Sequence, residues 1–365
     1  MKLRLTVVTM LLVFLAACGG SSTPAVNTAP TETATVKFSA TQKPAATATT
    51  ALEISPTASA YLEAALDIIQ NNSLHRQSVD WDALRTIAFQ RAQHAQTAAD
   101  TYDAIHFALR VGADQHSFFL TPKQMAQAQG ATMSDSPAPR GKLLLGKLGF
   151  IAIEGFRSVD MEEEAKYATL VQQLIRDLDA QAPCGWIVDL RENTGGNMGP
   201  MLAGLGPILG EGKAGASVDP DGLAWDWSYN NGQALDGDAV VAQVNGPAYQ
   251  LKVDSPPVAV LTGVNTASSG EAIVVAFRGR PQTRSFGLYT AGLSTGNSSF
   301  PLSDGAWIIL TTVVFADRTG QTYGDRIYPD EVVDDVRKFA LVMDEAIPQP
   351  AIDWLMTQPA CTAQK

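Results

Sequence analysis

Cysteine and histidine are scarce in this chain, with three Cys and four His among 365 residues. No Cys-x-x-Cys pair occurs, and no His and Cys residues have metal-ligand spacing, so we expect no metal site and no cofactor. Basic residues are also in deficit, because 26 Lys and Arg stand against 37 Asp and Glu, a formal net charge of −11. Since no cluster of Lys and Arg offsets this charge, we do not expect nucleic acid as a partner.

Long apolar runs are missing as well, and the longest N-terminal run, Leu5–Leu15, is too short for a persistent membrane-spanning helix. It follows Lys2 and Arg4 and ends in Leu-Ala-Ala before Cys18, which resembles a bacterial lipobox. We therefore predict a lipoprotein signal peptide over residues 1–17 and lipidation of Cys18; the alternative is an ordinary signal peptide with an incidental Cys. These features predict an exported protein, anchored to a membrane and facing the extracytoplasmic side.

The remaining chain divides by composition and periodicity. Residues 18–57 are rich in Thr, Ala and Pro and are predicted to be a disordered tether. Apolar residues at helical spacing predict a helical subdomain over 58–122, followed by a polar connector, 123–141. Strands alternate with helices over 142–345, which is typical of an α/β core with a largely parallel sheet. A C-terminal helix and tail complete the chain over 346–365.

Within the core, residues 211–256 are rich in Gly and Asp and are predicted to be an irregular insertion. This insertion carries three aromatic residues, Trp225, Trp227 and Tyr229. They are candidates to line an apolar pocket, and the alternative is that they pack against the core.

The stretch 257–280 combines a buried strand, a polar turn and a buried helix. Ser268 and Ser269 fall on the turn, at the helix N-terminus, where unpaired N–H groups and the positive end of the helix dipole meet. A serine there is either a helix cap, with Glu271 completing a capping box, or a nucleophile whose oxyanion the N–H groups hold. The local pattern by itself favours the cap.

Two other features of the sequence, a loop histidine and a glycine pair after a strand, could take part in catalysis. A serine nucleophile needs a base, and His116 lies in a loop at the exit of the helical subdomain, where a solvated His is the alternative interpretation. The strand that ends near Asp189 leads into Gly195 and Gly196, which allow a backbone N–H to approach a ligand closely. The alternative is an ordinary strand-to-helix turn in which Asp189 and Arg191 form a structural pair.

Taken together, the motifs resemble peptidase family S41, the tail-specific (C-terminal processing) proteases, and its tricorn-like branch. In chain order, the motifs that carry the resemblance are Asp-Gln-His116-Ser, Val188-Asp-Leu-Arg-Glu-Asn-Thr-Gly-Gly196, Thr266-Ala-Ser-Ser-Gly-Glu271, Gly292-Leu-Ser-Thr295 and Pro329-Asp330. They match the family in order and spacing from about residue 112 to about residue 335. The resemblance implies an α/β fold with a crotonase-like core, a β-β-α spiral, preceded by the helical subdomain.

The resemblance also implies catalytic roles. The family nucleophile is the third residue of Thr-Ala-Ser, which corresponds to Ser268 here. In the tricorn-like branch a His on a short N-terminal loop is the base, which corresponds to His116. A Ser beside this His and a downstream acid orient it, which implies Ser117 and, as the first candidate for the acid, Asp325; Glu271 is the second candidate.

The same resemblance implies an oxyanion hole. The backbone N–H of Ser269, together with that of Gly195 or Gly196, would hold the oxyanion of the tetrahedral intermediate. The implied activity is that of a serine endopeptidase acting on peptides or proteins.

The sequence departs from the processing branch in two respects. That branch uses a Ser–Lys dyad, but its Lys position falls near Leu293, and no Lys occurs between Lys252 and Lys338. Processing members also insert a PDZ domain before the core, where this chain has only residues 123–141, too few for a domain. We therefore expect a His base and no PDZ-type groove for substrate capture.

Other interpretations remain open from the residues. The same fold also serves as a non-catalytic module that holds an apolar ligand. Crotonase-type acyl-CoA chemistry fits the fold class but does not fit an exported lipoprotein. Cys184 and Cys361 could form a disulfide in an exported protein, and the sequence does not decide between that bond and two separate thiols.

Overall fold

A computed structural model describes residues 53–335, 339–342 and 345–363. The predicted signal peptide, the lipidation site Cys18 and most of the predicted tether lie outside these residues. Within the described ranges, every helix is too short or too polar to cross a membrane.

Helices and strands are numbered in chain order within the described residues. The helices are α1 (Pro56–Asn72), α2 (Trp81–Arg91), α3 (Tyr102–Gly112), α4 (Pro122–Gln129), α5 (Met161–Asp179), α6 (Met198–Leu209), α7 (Ser269–Phe277), α8 (Gln349–Thr357) and α9 (Pro359–Thr362). The strands are β1 (Phe118–Leu120), β2 (Arg140–Leu144), β3 (Leu148–Ala152), β4 (Gly185–Asp189), β5 (Gly212–Val218), β6 (Ala224–Asn230), β7 (Gln233–Asp236), β8 (Ala239–Gln243), β9 (Val258–Thr262), β10 (Thr283–Gly287), β11 (Thr295–Pro301), β12 (Trp307–Asp317), β13 (Glu331–Val332), β14 (Phe339–Val342) and β15 (Glu345–Pro348).

Two larger sheets make this a mixed α/β fold. The first has six strands in the order β13-β10-β9-β4-β3-β2, and every pairing except β2 with β3 is parallel. Its central strands are buried on both faces, because helices cover each side. This sheet matches the predicted, largely parallel core.

The second sheet is antiparallel, and its strands β5 to β8 were not predicted. Its order is β1-β12-β5-β6-β7-β8, with β11 also paired to β12. The interpretation of residues 211–256 as an irregular insertion is therefore wrong, since β5 to β8 lie there. The glycines that suggested a loop partly serve packing: a Cβ on Gly215 would lie 2.8 Å from the Trp227 ring. Close approach of an aromatic ring to the backbone requires Gly at that position.

Successive side chains along each strand of the parallel sheet point to opposite faces of the sheet. On β4, Trp186 and Val188 join the core formed with α5, α6 and α7, whereas Ile187 faces the opposite side, where α8 packs. This is the period-two pattern of a strand buried on both faces. The α7 helix is thereby held behind the parallel sheet, and its N-terminus lies at the carboxyl end of β9.

The helical N-terminal part shares its core with the β11–β12 hairpin. Buried residues of α1, α2 and α3 pack with Phe119, Ile308 and Leu310. β1 pairs antiparallel with β12, from Phe118 opposite Ile309 to Leu120 opposite Trp307. The loop between α3 and β1, which carries His116, is consequently held against the second sheet.

Candidate active site

Ser268 is the N-cap residue of α7 and follows β9 through a tight turn. Its backbone has φ 54° and ψ −119°, a conformation that residues other than glycine rarely adopt. The residue has 0% relative exposure. Strained, fully buried backbone of this kind persists only where neighbouring contacts hold it, and it is concentrated at functional sites.

Glu271 provides contacts that hold this turn. Its Oε2 accepts the N–H of Ser268 at 2.9 Å and that of Leu293 at 2.8 Å. Its Oε1 accepts the Thr290 hydroxyl at 2.5 Å and the N–H of Gly292 at 3.1 Å. Burial raises the pKa of Glu271, and the four donors oppose that rise by stabilising the carboxylate. Glu271 therefore holds the backbone of Ser268 and of the 290–293 loop.

His116 is positioned by contacts to its own backbone. Asp114 Oδ1 accepts the N–H of His116 at 3.0 Å and that of Ser117 at 2.9 Å, a local turn in which an Asp side chain replaces a backbone acceptor. Asn297 on β11 donates from Nδ2 to the His116 carbonyl at 3.0 Å. The loop is thus fixed both by its own sequence and by a distant strand.

The two residues predicted as nucleophile and base are in contact. His116 Nε2 lies 2.9 Å from Ser268 Oγ, although 152 positions separate them in the chain. The other ring nitrogen, Nδ1, lies 2.7 Å from Thr295 Oγ1. Burial lowers the pKa of His116 to about 4, and the Asp114 carboxylate opposes this shift. At neutral pH the imidazole is therefore uncharged, which is the state that accepts a proton.

Thr295 was not among the predicted site residues. Its motif, Gly292-Leu-Ser-Thr295, entered the resemblance without a role for the hydroxyl. The sequence signal was weak because a lone Thr at the start of a strand is an ordinary β-strand residue. Its contact with His116 depends on how β11 lies against the α3–β1 loop.

The two residues predicted to orient His116 lie elsewhere. The Ser117 hydroxyl donates to Asp114 Oδ1 at 2.9 Å and lies 3.1 Å from Thr311 Oγ1, so it braces the loop. The Asp325 carboxylate is exposed and accepts the N–H of Arg326 at 2.7 Å. At Nδ1 of the ring, where Ser117 and Asp325 were expected to act, the structure places Thr295.

The glycine turn lies directly against the Ser268 turn. A Cβ on Gly195 would be 3.0 Å from Ser268 Cβ and 3.2 Å from the Ser269 nitrogen. The N–H of Gly195 already donates to Asn193 Oδ1 at 2.9 Å. For the N–H groups of Gly196 and Ser269, no acceptor is found within the described part of the chain. The Ser269 hydroxyl donates to the Gly196 carbonyl at 2.6 Å and ties the two turns together.

Trp227 and Tyr229, two of the aromatic residues proposed for a ligand pocket, are core residues. Trp227 is 1% exposed and Tyr229 is 2% exposed. The Trp227 ring packs edge-on against Phe315, and its Nε1 donates to Ser217 Oγ at 2.9 Å. Trp225, in contrast, is 37% exposed. The three side chains thus do not line a common pocket.

Fold and site together define a mixed α/β protein with a buried Ser–His pair at a strand-to-helix turn. The chain belongs to peptidase family S41, whose family model matches residues 147–333. A nisin-resistance protein from Lactococcus lactis subsp. lactis is 25% identical over 306 residues, covering 84% of this chain and 89% of the relative.

Solved structures share the fold. A lipoprotein from Streptococcus agalactiae matches with a TM-score of 0.68 and 26% identity, covering 83% of this chain and 97% of that protein. A photosystem II D1 C-terminal processing protease matches with a TM-score of 0.56 and 15% identity, over 77% of this chain and 94% of that one. The second likeness concerns the fold alone.

Proposed function

We propose that this protein is a serine peptidase in which Ser268 is the nucleophile and His116 is the general base. The 2.9 Å contact between His116 Nε2 and Ser268 Oγ supports this assignment. Ser268 Oγ attacks the carbonyl carbon of a peptide bond while its proton passes to His116 Nε2. The imidazolium then protonates the leaving amine as the C–N bond breaks. A water molecule, deprotonated by the same nitrogen, hydrolyses the acyl-enzyme and regenerates Ser268.

The N–H groups of Ser269 and Gly196 are the proposed oxyanion donors. Ser269 follows Ser268 in the chain, and its hydroxyl ties it to the Gly196 carbonyl. Neither N–H group has an acceptor among the described residues. Gly195 is the weaker of the two original glycine candidates, because its N–H is engaged by Asn193. Loss of one such donor typically raises the barrier by about 3 kcal/mol.

Access to the site requires a rearrangement. Ser268 is 0% exposed and His116 is 2% exposed. A peptide carbonyl cannot approach a fully buried hydroxyl, so the surrounding loops must open before acylation. Closure around the reacting atoms would in turn exclude water and strengthen the electrostatic contacts of the site.

For the proposed enzyme we retain the domain plan predicted from the sequence. Residues 1–17 are the signal peptide, 18–57 the tether from a lipidated Cys18, 58–122 the helical subdomain and 123–141 the connector. The S41 core over 142–345 is a crotonase-like β-β-α spiral, followed by residues 346–365. The likeness to a streptococcal lipoprotein supports the lipid anchor and an exported location.

The proposed substrates are peptides, and nisin is the first to test, because a nisin-resistance protein is similar to this chain over 84% of its length. Purified protein is incubated with nisin and, separately, with a mixture of unstructured peptides. Products are identified by mass spectrometry. Cleavage of the peptide mixture but not of nisin would support the peptidase assignment and show that nisin is not a substrate.

The nucleophile is tested with serine variants and a fluorophosphonate probe. Ser268→Ala is expected to lose peptide hydrolysis by on the order of 10⁴-fold or more, together with labelling by the probe. Ser78→Ala, which removes an exposed hydroxyl from the helical part, is the matched control and should keep both. Hydrolysis by Ser268→Ala at the parent rate would contradict the assignment. Saturable binding of an apolar dye by unlabelled parent protein would instead favour the binding module.

A further inference from the structure

The group behind the proposed base is a hydroxyl. In Ser-His-Asp triads a buried carboxylate accepts a hydrogen bond from the Nδ1–H group of the histidine and thereby selects its tautomer. Here Thr295 Oγ1 lies 2.7 Å from His116 Nδ1. The nearby carboxylates form hydrogen bonds with the backbone: Asp114 accepts N–H groups of the His116 loop, and Glu271 accepts the N–H of Ser268.

We propose that Thr295 is the positioning residue of the Ser268–His116 pair. Its hydroxyl oxygen accepts a hydrogen bond from Nδ1–H, so that Nε2 is left unprotonated toward Ser268. This inference rests on the proposed peptidase function and deepens it. It assigns to an uncharged hydroxyl the orienting role that a carboxylate has in Ser-His-Asp triads.

The surroundings of Thr295 suit this role. The residue is 3% exposed, and it is the first residue of β11, where it pairs with Val314 of β12. Its β-branched side chain has few χ1 rotamers, so the hydroxyl direction is well defined. Asn297, two residues further along the same strand, bonds the His116 carbonyl at 3.0 Å. One strand therefore holds both the ring and the backbone of the base.

A hydroxyl and a carboxylate differ in what they do to the proton-accepting ring. A carboxylate at Nδ1 orients the ring and also stabilises the imidazolium, which raises its pKa. A hydroxyl orients the ring without supplying a full charge. It can also donate to Nδ1, which would leave the proton on Nε2, so it selects the productive tautomer less strictly. Replacing Thr295 by an acid or by an isosteric apolar residue should separate these effects.

Four variants test the proposal in peptide hydrolysis. Thr295→Val keeps the shape and removes the hydroxyl, and we expect kcat to fall by about 10²-fold with little change in KM. Thr295→Ser keeps the hydroxyl and should retain most of kcat. Thr312→Val is the matched control, because its hydroxyl bonds Ser298 on the same pair of strands and should be dispensable. Parent-level kcat in Thr295→Val would overturn the proposal.

The fourth variant, Thr295→Asp, places a carboxylate against Nδ1. We expect the acid limb of the kcat/KM profile to move upward by about one pH unit or more, because the added charge stabilises the imidazolium. The other nearby carboxylates, Asp114 on the same loop as His116 and Glu271 on α7, are present in both the variant and the parent, so they do not account for a difference between the two profiles. An unmoved acid limb would show that residue 295 does not interact with the ring.

Nitrogen-15 NMR of His116 gives a readout that needs no turnover. Measured in Ser268→Ala protein, the Nδ1-protonated tautomer should dominate when Thr295 is present, and the Thr295→Val substitution should shift the population toward the Nε2-protonated form. An unchanged tautomer ratio in Thr295→Val protein that circular dichroism shows to be folded would overturn the proposal. If no peptide is cleaved but the tautomer shift occurs, the peptidase function fails while the Thr295–His116 pairing holds.

Discussion

At the scale of single residues, the site depends on a serine held in a backbone conformation that serine rarely adopts. Ser268 has φ 54°, and a conformation of this kind costs on the order of 1–3 kcal/mol. The carboxylate of Glu271 receives the Ser268 N–H and three other donors, so it offsets this strain and connects the turn to the 290–293 loop. The capping box that the local sequence predicted is thus also the support of the proposed nucleophile.

Glu271→Gln should damage both stability and activity. The amide places an N–H group where a carboxylate oxygen now accepts backbone N–H groups, which leaves buried donors unsatisfied. We expect a loss of about 1–3 kcal/mol in the free energy of unfolding, measured by urea denaturation, and a lower kcat. Glu162→Gln on the exposed face of α5 is the control and should change stability by less than about 0.5 kcal/mol. Equal stability of the two variants would contradict the role given to Glu271.

His116 sets the expected pH dependence. Burial disfavours the imidazolium and lowers the pKa of His116 to about 4, from an ordinary value of 6.5. Because the base must be uncharged, kcat/KM should stay level as the pH falls from 7 toward 5 and be half-maximal near pH 4. Circular dichroism at each pH shows whether the protein remains folded. A half-maximal rate near pH 6.5 would indicate an ordinary, solvated imidazole.

At the scale of secondary-structure elements, two strand-to-helix turns meet. The turn from β4 to α6 carries Gly195 and Gly196, and the turn from β9 to α7 carries Ser268. Gly196 has φ +112°, and a Cβ on it would lie 1.9 Å from the Phe156 carbonyl oxygen. Adjacent parallel strands bring the two turns to the same edge of the sheet, which is where sites of α/β proteins form.

Gly196→Ala should therefore be much more harmful than alanine at a glycine with open surroundings. Gly210 is the matched control, since it has φ +91° and nothing within 4 Å of its hypothetical Cβ. Gly210→Ala should cost about 1–3 kcal/mol from backbone strain alone, whereas Gly196→Ala adds a backbone clash. Soluble yield, urea unfolding and fluorophosphonate labelling report the difference. Equal behaviour of the two variants would argue against the close approach at Gly196.

At the scale of the whole molecule, residues far apart in the chain converge on one site. His116 lies on the loop that follows the helical part, Ser268 lies at the end of a strand of the parallel sheet, and Thr295 lies on the antiparallel sheet. The C-terminal segment closes the opposite side of the parallel sheet, where Ile352 and Leu355 of α8 are buried. A disulfide between Cys184 and Cys361 attaches α9 to the start of β4.

This disulfide should contribute strongly to stability. It links residues 177 positions apart, and closing so long a loop in the unfolded chain corresponds to about 5 kcal/mol in the chain-entropy account. The double variant Cys184→Ala/Cys361→Ala should therefore unfold at a markedly lower temperature than the parent in a thermal scan. The reductant dithiothreitol should lower the parent's transition and leave that of the variant unchanged. Coincident transitions for parent and variant would show that α8 packing alone holds the segment.

The sequence by itself determined the family, the mixed α/β class and the alternation of strands and helices in the parallel core. The family follows from the resemblance of the ordered motifs, and the class and alternation follow from local periodicity, which is present in the chain before it folds. The resemblance to the family also implied Ser268 as the nucleophile and His116 as the base, whereas the local pattern at Ser268 by itself favoured a helix cap. The prediction of an irregular insertion over residues 211–256 failed, in part because a glycine packed under an aromatic ring, such as Gly215 under Trp227, looks like a loop residue in the sequence.

Only the tertiary structure decided which groups touch His116 and which cysteines meet. The contact of Thr295 with His116 spans 179 positions and depends on the register of β11 against β12 and on the docking of the helical part. Ser117 and Asp325 were plausible from their places in the chain, yet their side chains bond elsewhere. Contacts of this kind arise from the packing of whole elements, and local sequence carries little information about them because a shift of one residue in register would replace every partner.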